Sequence, residues 1–241
     1  MTYPNVLGEL QTLRLVLEGR SLSRYGDGEL KMASHDAGIK SQDSDPDLSR
    51  RMREILLVSG ECLVGLPNIH EVIQQQVSDQ KVEHWVRYLR FKWLLKPGRE
   101  YVSSFVTRPD SAPWINTPDY WDLLESLWRG QDVTLVRGSG KSLTAERLME
   151  WGARSVTEIL APRQHAWAEY QSLLQRIGTP KRALLCVGPT ATVMAVDLCA
   201  KGVHAIDLGH VGMFLKKHKA QEPMVVSDEE KAVDRHSEQI A

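Results

Sequence analysis

The sequence predicts an α/β fold in which helices cover both faces of a mostly parallel sheet. Short β-favouring runs that end in Gly, Pro or polar residues alternate with stretches of helical periodicity, the pattern typical of such a sheet. The 241 residues, 42% of them hydrophobic, are enough to bury one large core. We expect a single domain over residues 1–220 and a charged C-terminal tail over residues 221–241.

The elements follow in chain order. Apolar residues at helical spacing predict an opening helix from Val6 to Leu17, which ends at Gly19. Seven strands are predicted after it: Ser21–Tyr25, Cys62–Leu66, Tyr101–Val106, Val133–Val136, Ser155–Leu160, Ala183–Val187 and Val203–Asp207. Helical patterns between them cover Asp47–Ser59, Glu71–Leu95, Pro118–Trp128, Ser142–Trp151, His165–Ile177 and Thr190–Lys201. The stretch 96–118, rich in Pro, Ser and aromatic residues, is expected to be a long loop or a small insertion over a site, which could act as a lid.

The amino-acid composition indicates which partners the chain can bind and in which cellular compartment it is expected to function. With 30 basic and 31 acidic residues the chain has no bulk field for a polyanion, which argues against nucleic-acid binding. The three cysteines are unpatterned and lie in apolar stretches, as buried reduced thiols do. No apolar run approaches the ~18 residues that span a bilayer, and no leader-like segment follows Met1. We therefore expect a cytoplasmic protein without a membrane span.

Candidate binding residues follow the predicted strands. Ligands of open α/β sheets bind beyond the carboxyl ends of the strands, and parallel strands bring those ends to one edge. Glycines, charged residues and helix starts cluster at these positions. The candidates are Arg24, Gly26, Gly28, Arg108, Gly138, Lys141, Ser142, Gly188, Pro189, Thr190, Asp207, Gly209 and His210.

Asp27 and Glu29 are the candidate metal ligands. In a Gly-flanked loop both carboxylates can turn to one cation, and hard oxygen ligands suit Mg²⁺ or Mn²⁺. The alternative is structural: Asp27 as a helix N-cap and Glu29 as an acid in the first helical turn. The Asp-x-Glu spacing by itself leaves both explanations open.

Two segments suit phosphate. The run that begins at Gly138 offers backbone N–H groups, Lys141 and Ser142 at a strand-to-helix junction. It departs from a phosphate loop, since Leu135 stands where that motif has its first glycine. Gly188-Pro189-Thr190 opens a helix whose first turn could bind phosphate or form a purely structural turn.

An acid and an imidazole end the last predicted strand. His210 could act as a general base, with Asp207 orienting it or a ribose. Arg24 and Arg108 are candidate bidentate phosphate clamps, although either could equally be an ion-pair partner.

Taken together, these motifs resemble a known family. The residues that carry the resemblance are Ser23-Arg24-Tyr25-Gly26-Asp27-Gly28-Glu29-Leu30, Thr107-Arg108, Ala161-Pro162 before His165-Ala166-Trp167, and Gly188-Pro189-Thr190-Ala191-Thr192 leading to Asp207-Leu208-Gly209-His210. They are similar, in order, to the GT-D fold glycosyltransferases, first described as a domain of unknown function in bacterial adhesin glycosylation. The resemblance implies a Rossmann-like sheet, a nucleotide-sugar donor such as a UDP-sugar, and Mn²⁺ or Mg²⁺ held by Asp27 and Glu29.

The resemblance also implies a function. We expect a hexosyltransferase-like enzyme that moves the sugar to a glycan or glycoprotein in bacterial surface glycan synthesis, as a homo-oligomer or with other glycosyltransferases. The chain departs from the family at Val211-Gly212-Met213-Phe214, where acidic residues are expected, at Arg137-Gly138 in place of Glu-Gly, and at His165 in place of Asn. Two alternatives remain: a nucleotide-binding phosphotransferase that uses Lys141 and Ser142, and a non-catalytic nucleotide-sugar-binding module.

Overall fold

The computed structural model describes residues 2–35, 37–58, 60–138 and 143–224. Within those ranges eight strands form a single sheet in which every pairing is parallel, in the order β1-β4-β3-β2-β8-β7-β5-β6. The strands are β1 (Val6–Leu7), β2 (Leu22–Arg24), β3 (Leu63–Leu66), β4 (Tyr101–Ser103), β5 (Asp132–Gly138), β6 (Ser155–Ala161), β7 (Arg182–Cys186) and β8 (His204–Asp207). The predicted α/β class is confirmed, and all the carboxyl ends of the strands meet at one edge.

Helices connect the strands. They are α1 (Glu9–Leu17), α2 (Asp27–His35), α3 (Pro46–Leu57), α4 (Ile69–Gln74), α5 (Asp79–Val86), α6 (Pro118–Glu125), α7 (Ala145–Glu150), α8 (Tyr170–Ile177), α9 (Pro189–Ala200) and α10 (Val211–Lys219). Short 3₁₀ helices cover Arg87–Leu94, Ser104–Thr107, Pro113–Ile115 and Ala166–Glu169. None of the helices in these ranges is long and apolar enough to cross a membrane.

Local sequence sets where helices begin. A carboxylate oxygen of Asp45 accepts the backbone N–H groups of Asp47 and Leu48, both at 2.9 Å, and Pro46 occupies the first helical position of α3. A proline there loses no intrahelical bond, and the cap satisfies donors that would otherwise be orphaned. The hydroxyls of Ser78, Thr117 and Thr144 cap α5, α6 and α7 in the same way.

The most buried helix, α9, is tied directly to β2. Ser23 Oγ donates to the Thr192 carbonyl at 2.8 Å, and Thr192 Oγ1 donates to the Arg24 carbonyl at 3.0 Å. These reciprocal bonds fix the first turn of α9 beside the end of β2. The helix N-terminus therefore opens onto the carboxyl edge of the sheet.

Several local expectations were wrong. The predicted opening helix begins only at Glu9, because Val6–Leu7 pair with β4 as a short strand. Of the two explanations left open for Asp27 and Glu29, the structure has the helix start: both acids lie in the first turn of α2, and a carboxylate oxygen of Glu29 accepts the Gly26 N–H at 2.9 Å.

The stretch 96–118 and the cysteines also differ from expectation. That stretch holds β4 and two 3₁₀ helices, and buried residues 104–107 make it a wall of the fold in place of a separate lid. Among the cysteines, Cys62 and Cys186 are buried as expected, whereas Cys199 is only half-buried.

Candidate active site

A cleft of about 610 Å³ opens at the carboxyl edge of the sheet, where β2, β4, β7 and β8 end. Its volume is typical of a site for a small molecule or cofactor. The prediction that the candidate residues share one edge of the sheet is confirmed for most of them. The candidates that line the cleft are Arg24, Gly26, Asp27, Gly28, Glu29, Arg108, Gly188, Pro189, Asp207, Gly209 and His210.

Two candidates, Gly138 and Thr190, are not among the described residues that line the cleft, and two more lie in a range that the structure does not describe. Gly138 ends β5 and packs against the backbone of Pro162 and Arg163. Thr190 is fully buried in the first turn of α9, and its hydroxyl oxygen has no hydrogen-bond partner in the part of the chain that the structure describes. Lys141 and Ser142 lie outside the described residues. Phosphate binding by these four stays a prediction.

Arg24 joins three strand ends. Its Nε donates to the Asp207 carbonyl at 2.7 Å, its Nη1 donates to the Ser104 carbonyl at 3.0 Å, and its Nη2 lies 3.2 Å from Asp207 Oδ1. Only 11% of the Arg24 side chain and 6% of the Asp207 side chain are exposed. In this low-dielectric setting Arg24 holds β2, β4 and β8 together and shapes the floor of the cleft.

Gly209 is required by this arrangement. Its φ is +54°, in the left-handed region, and a Cβ there would clash with Arg24 Nη2. Its N–H donates to Asp207 Oδ1 at 3.0 Å. Burial raises the pKa of Asp207, and Arg24 opposes that rise. These contacts give Asp207 a role in maintaining the cleft, while orientation of His210 or a ribose by Asp207 stays a prediction.

The acid pair lies at the start of α2. The Asp27 side chain is 45% exposed in the cleft. Glu29 is partly buried, and burial raises the pKa of Glu29 to about 7, helped by the charges of Asp207 and Asp27. A cation would relieve this concentration of negative charge, and carboxylate oxygens suit Mg²⁺ or Mn²⁺. In the described ranges no group of three or more His, Cys, Asp and Glu side chains is placed so that it could hold a metal ion.

His84 lines the same cleft and was missed in the sequence. It lies in the last turn of α5, and its Nε2 is 3.9 Å from Asp27 Oδ2. Its ring packs edge-on against Trp85, with centroids 4.9 Å apart, and tilted against Tyr88 at 5.4 Å. Burial lowers the pKa of His84, and Asp27 opposes that shift. No local motif marks this histidine, because its neighbours in the sequence form an ordinary helix.

Positive charge and a helix N-terminus line the remaining walls. Lys31, Lys40 and Arg108 contribute cationic side chains. The Arg108 guanidinium is held by both carboxylate oxygens of Asp110, at 2.7 and 2.8 Å. Gly188, just before α9, lines the cleft, and the partial positive charge of a helix start favours phosphate. An acid pair in the same cleft as such groups is a combination suited to a cation-bound diphosphate.

The part of the cleft wall formed by the start of α10 is apolar, apart from His210. That histidine directly precedes α10, and Met213 and Phe214 in the first turn of α10 also line the cleft. No carboxylate comes from this helix turn, so His210 is the titratable group that the segment offers.

A loop that is hydrogen-bonded to His165 forms another wall of the cleft. Gly38 and Ile39 line the cleft, and the loop that carries them is bonded to His165: the His165 N–H donates to the Ser41 carbonyl at 2.9 Å and the Asp43 N–H to His165 Nδ1 at 3.0 Å. His165 has φ +57°, a conformation that His and Asn tolerate better than most residues.

Comparison with curated proteins finds two similar streptococcal glycosyltransferases. They are the probable glycosyl transferase Gly of Streptococcus gordonii, 30% identical over 226 residues, and glycosyltransferase GlyD of Streptococcus pneumoniae serotype 4, 30% identical over 220 residues. Each match covers 86% of this chain but only 32% and 26% of the relatives. The chain thus spans about a third or less of the length of the curated relatives it matches.

Solved structures and a family profile agree with these relatives. A structure described as a highly conserved domain of unknown function 1792 with a distinct glycosyltransferase fold has a TM-score of 0.80 and 27% identity, covering 93% of this chain and 85% of that one. A structure described as a new glycosyltransferase from Streptococcus sanguinis has a TM-score of 0.74 and 28% identity, covering 90% and 86%. The family profile described as "Glycosyltransferase GT-D fold" matches residues 22–236, and the chain therefore belongs to the GT-D fold glycosyltransferase family.

Proposed function

We propose that the chain is a glycosyltransferase domain that moves a sugar from a nucleotide-sugar, a UDP-sugar in our proposal, to a glycan or glycoprotein acceptor in bacterial surface glycan synthesis. The observation that carries the proposal is the shared cleft of the acid pair Asp27 and Glu29 with the N-terminus of α9. The names of the two streptococcal relatives support the same activity.

The donor diphosphate binds between opposite charges in this proposal. Backbone groups at Gly188 and the start of α9 face its phosphates, and Arg108 and Lys31 add positive charge. Asp27 and Glu29 would hold Mn²⁺ or Mg²⁺, which supplies charge neutralisation on the departing diphosphate. The residues of the cleft thus hold the leaving group in one orientation.

The transfer step needs one proton acceptor. The acceptor hydroxyl gives its proton to an imidazole nitrogen of His210, and its oxygen attacks the anomeric carbon of the donor sugar. The bond from that carbon to the diphosphate oxygen breaks, and the electron pair leaves with the nucleoside diphosphate. Positioning and electrostatic stabilisation of the leaving group account for most of the rate enhancement in such a site.

Thermal shift tests the donor site. We expect UDP with Mn²⁺ to stabilise the protein, because a ligand at about a hundred times its Kd adds ~2.7 kcal/mol, and each kcal/mol raises the Tm of a domain of this size by ~2–4 °C. Asp27→Asn should lose the Mn²⁺-dependent part, whereas Glu18→Gln, at the exposed end of α1, should keep it. Stabilisation by ATP alone that Lys141→Ala abolishes would replace the proposal with the phosphotransferase, and no stabilisation by any nucleotide would overturn it.

A non-catalytic module is the second candidate. The apolar Met213 and Phe214 favour it, since they stand where the family is expected to carry acidic residues. This candidate predicts nucleotide-sugar binding without release of the nucleoside diphosphate. In either case we place the domain in the cytoplasm, as a homo-oligomer or in association with other glycosyltransferases.

A further inference from the structure

We propose that one surface of the domain, beside the cleft, binds the face of an anionic lipid bilayer through exposed cationic and large apolar side chains. This basic-apolar surface comprises Leu57, Val58, Arg90, Lys92, Trp93 and Lys96. The inference goes beyond the proposed function, because it assigns the domain a second partner that takes no part in the transfer step.

The charge of this surface comes from one segment of the chain. Residues 84–99 contain five Lys and Arg side chains and no Asp or Glu, although the whole chain has 30 basic and 31 acidic residues. The acids that flank the segment are Glu83, which forms an ion pair with Arg87 at 2.6 Å, and Glu100. The other exposed cations are Arg90, Lys92 and Lys96. The positive charge is therefore local, and it suits a partner that presents many negative charges on one plane.

The 3₁₀ helix that follows α5 gives the segment two different faces. In such a helix, side chains three residues apart lie on the same face. One face holds Tyr88, Phe91 and Leu94, which are all buried and pack against α2. Arg90 and Trp93 share another face, and both are exposed. The helix is thus anchored by its buried face and presents cationic and aromatic side chains outward.

Large apolar side chains are exposed on the same surface. Val58, Trp93 and Leu57 are 63%, 58% and 49% exposed, the three highest values for large apolar side chains in the described ranges. The end of α3, where Leu57 and Val58 lie, is joined to the basic segment because Arg99 donates to the Leu56 carbonyl at 3.3 Å. A group of exposed apolar side chains of this size marks an interaction site.

The combination of these residue types favours a bilayer over other polyanions. Trp is enriched at membrane interfaces, where its ring is buried and its N–H stays hydrated. Lys and Arg are attracted to anionic headgroups. Aliphatic side chains such as Leu57 and Val58 gain from burial at the boundary of the acyl chains, whereas a nucleic acid offers no apolar layer for them.

The basic-apolar surface adjoins the cleft. Helix α5, whose His84 lines the cleft, continues directly into the 3₁₀ helix. Helix α2, which carries Asp27 at its start, packs against the same 3₁₀ helix. Binding of a bilayer here would therefore hold the cleft close to the membrane.

Sedimentation with lipid vesicles tests the inference on the full chain. We expect binding to vesicles of equal parts phosphatidylglycerol and phosphatidylcholine that weakens as salt is raised, and no binding to phosphatidylcholine alone. Each cation near an anionic surface strengthens binding about fivefold, so Arg90→Gln combined with Lys92→Gln should weaken it about 25-fold. The control is Arg176→Gln combined with Lys201→Gln, which replaces two exposed cations elsewhere and should leave binding unchanged. Both double variants should keep the Tm of the unsubstituted protein, because all four side chains are exposed.

Tryptophan fluorescence tests whether Trp93 enters the bilayer. All seven tryptophans lie in the described ranges, and Trp93 is the exposed one, so lipids with brominated acyl chains should quench mainly its emission. Trp93→Phe should keep the binding but lose this quenching. Trp93→Ala should weaken binding about five- to tenfold, because roughly half of a large apolar side chain is no longer buried. Met149→Ala, which truncates a 47% exposed side chain on α7, should leave binding unchanged.

Three results would each overturn the inference: no binding to the anionic vesicles, equal binding by the two double variants, or quenching that Trp93→Phe leaves unchanged. A single-stranded oligonucleotide that binds more tightly than the vesicles, and that the Arg90→Gln and Lys92→Gln double variant no longer binds, would replace the bilayer with a nucleic acid. None of these assays needs a nucleotide-sugar, so the inference and the proposed donor site can fail separately.

Discussion

Gly209→Ala should collapse the arrangement at the floor of the cleft. The new methyl group would occupy the space of Arg24 Nη2, and residue 209 would keep a left-handed φ of +54°. The backbone strain costs about 1–2 kcal/mol. Displacing Arg24 leaves the buried Asp207 carboxylate unpaired, which costs about 3–5 kcal/mol. We expect a loss of about 4–7 kcal/mol and, at ~2–4 °C per kcal/mol, a Tm lower by more than about 8 °C.

Chemical denaturation and thermal melts measure this effect against a matched glycine. Gly130 has φ +68° with nothing within 4 Å of an added Cβ, so Gly130→Ala carries the strain without the clash. In an Arg24→Met background Gly209→Ala should cost only the strain of about 1–2 kcal/mol, since the clash is gone. Equal costs for Gly209→Ala and Gly130→Ala, or strict additivity with Arg24→Met, would refute the reasoning.

Three further predictions concern titratable side chains outside the cleft. Burial and the charge of Arg182 lower the pKa of His204 to about 4, so between about pH 6.5 and pH 4 only the unfolded chain gains a proton at this histidine. The free energy of unfolding should therefore fall as the pH is lowered through this range, and it should fall less in His204→Gln. Glu9→Ala should lower stability by at least about 3 kcal/mol in urea melts, because Asn68 Nδ2, Ser103 Oγ and Trp114 Nε1 all donate to the buried Glu9 carboxylate and would lose their acceptor. Alkylation should modify Cys199 before Cys62, since a hydrogen bond from Cys62 lowers the pKa of Cys199 to about 6 and Cys199 is the more exposed.

Each of these predictions has a control and a contradicting outcome. Identical acid limbs for the unsubstituted protein and His204→Gln would exclude His204 as the group that titrates. Glu18→Ala, on the exposed end of the same helix as Glu9, should change stability little; a comparable loss there would show that Glu9 has no special role. Peptide mass spectrometry that finds the buried Cys62 labelled before Cys199 would contradict the thiol assignment.

The strands were predictable because their signal is local. Apolar β-favouring runs bounded by Gly and Pro placed six of the seven predicted strands within two residues of their observed ends, although Tyr101–Val106 turns into a 3₁₀ helix after Ser103. The strand Val6–Leu7 was missed because two residues carry no periodicity. Its extended conformation comes from pairing with β4, almost a hundred residues away in the chain.

The site was predictable only in outline. The rule that parallel strands share one edge correctly grouped Asp27, Gly188 and His210 in one cleft. Arg24 looked like a phosphate clamp, but its principal partner Asp207 lies 183 residues later in the sequence. His84 could not be predicted from the sequence, because it lies near Asp27 only through tertiary packing. Its neighbour Trp85 packs against Phe105, in the 3₁₀ helix that follows β4.

Release of UDP from a panel of UDP-sugars, with Mn²⁺ and a mixture of glycan acceptors, tests the central claim most directly. The account predicts that one donor is consumed, that Asp27→Asn abolishes the release, and that Lys141→Ala leaves most of it. Release that Asp27→Asn leaves unchanged, or a donor that binds to the protein and is never consumed, would contradict the account.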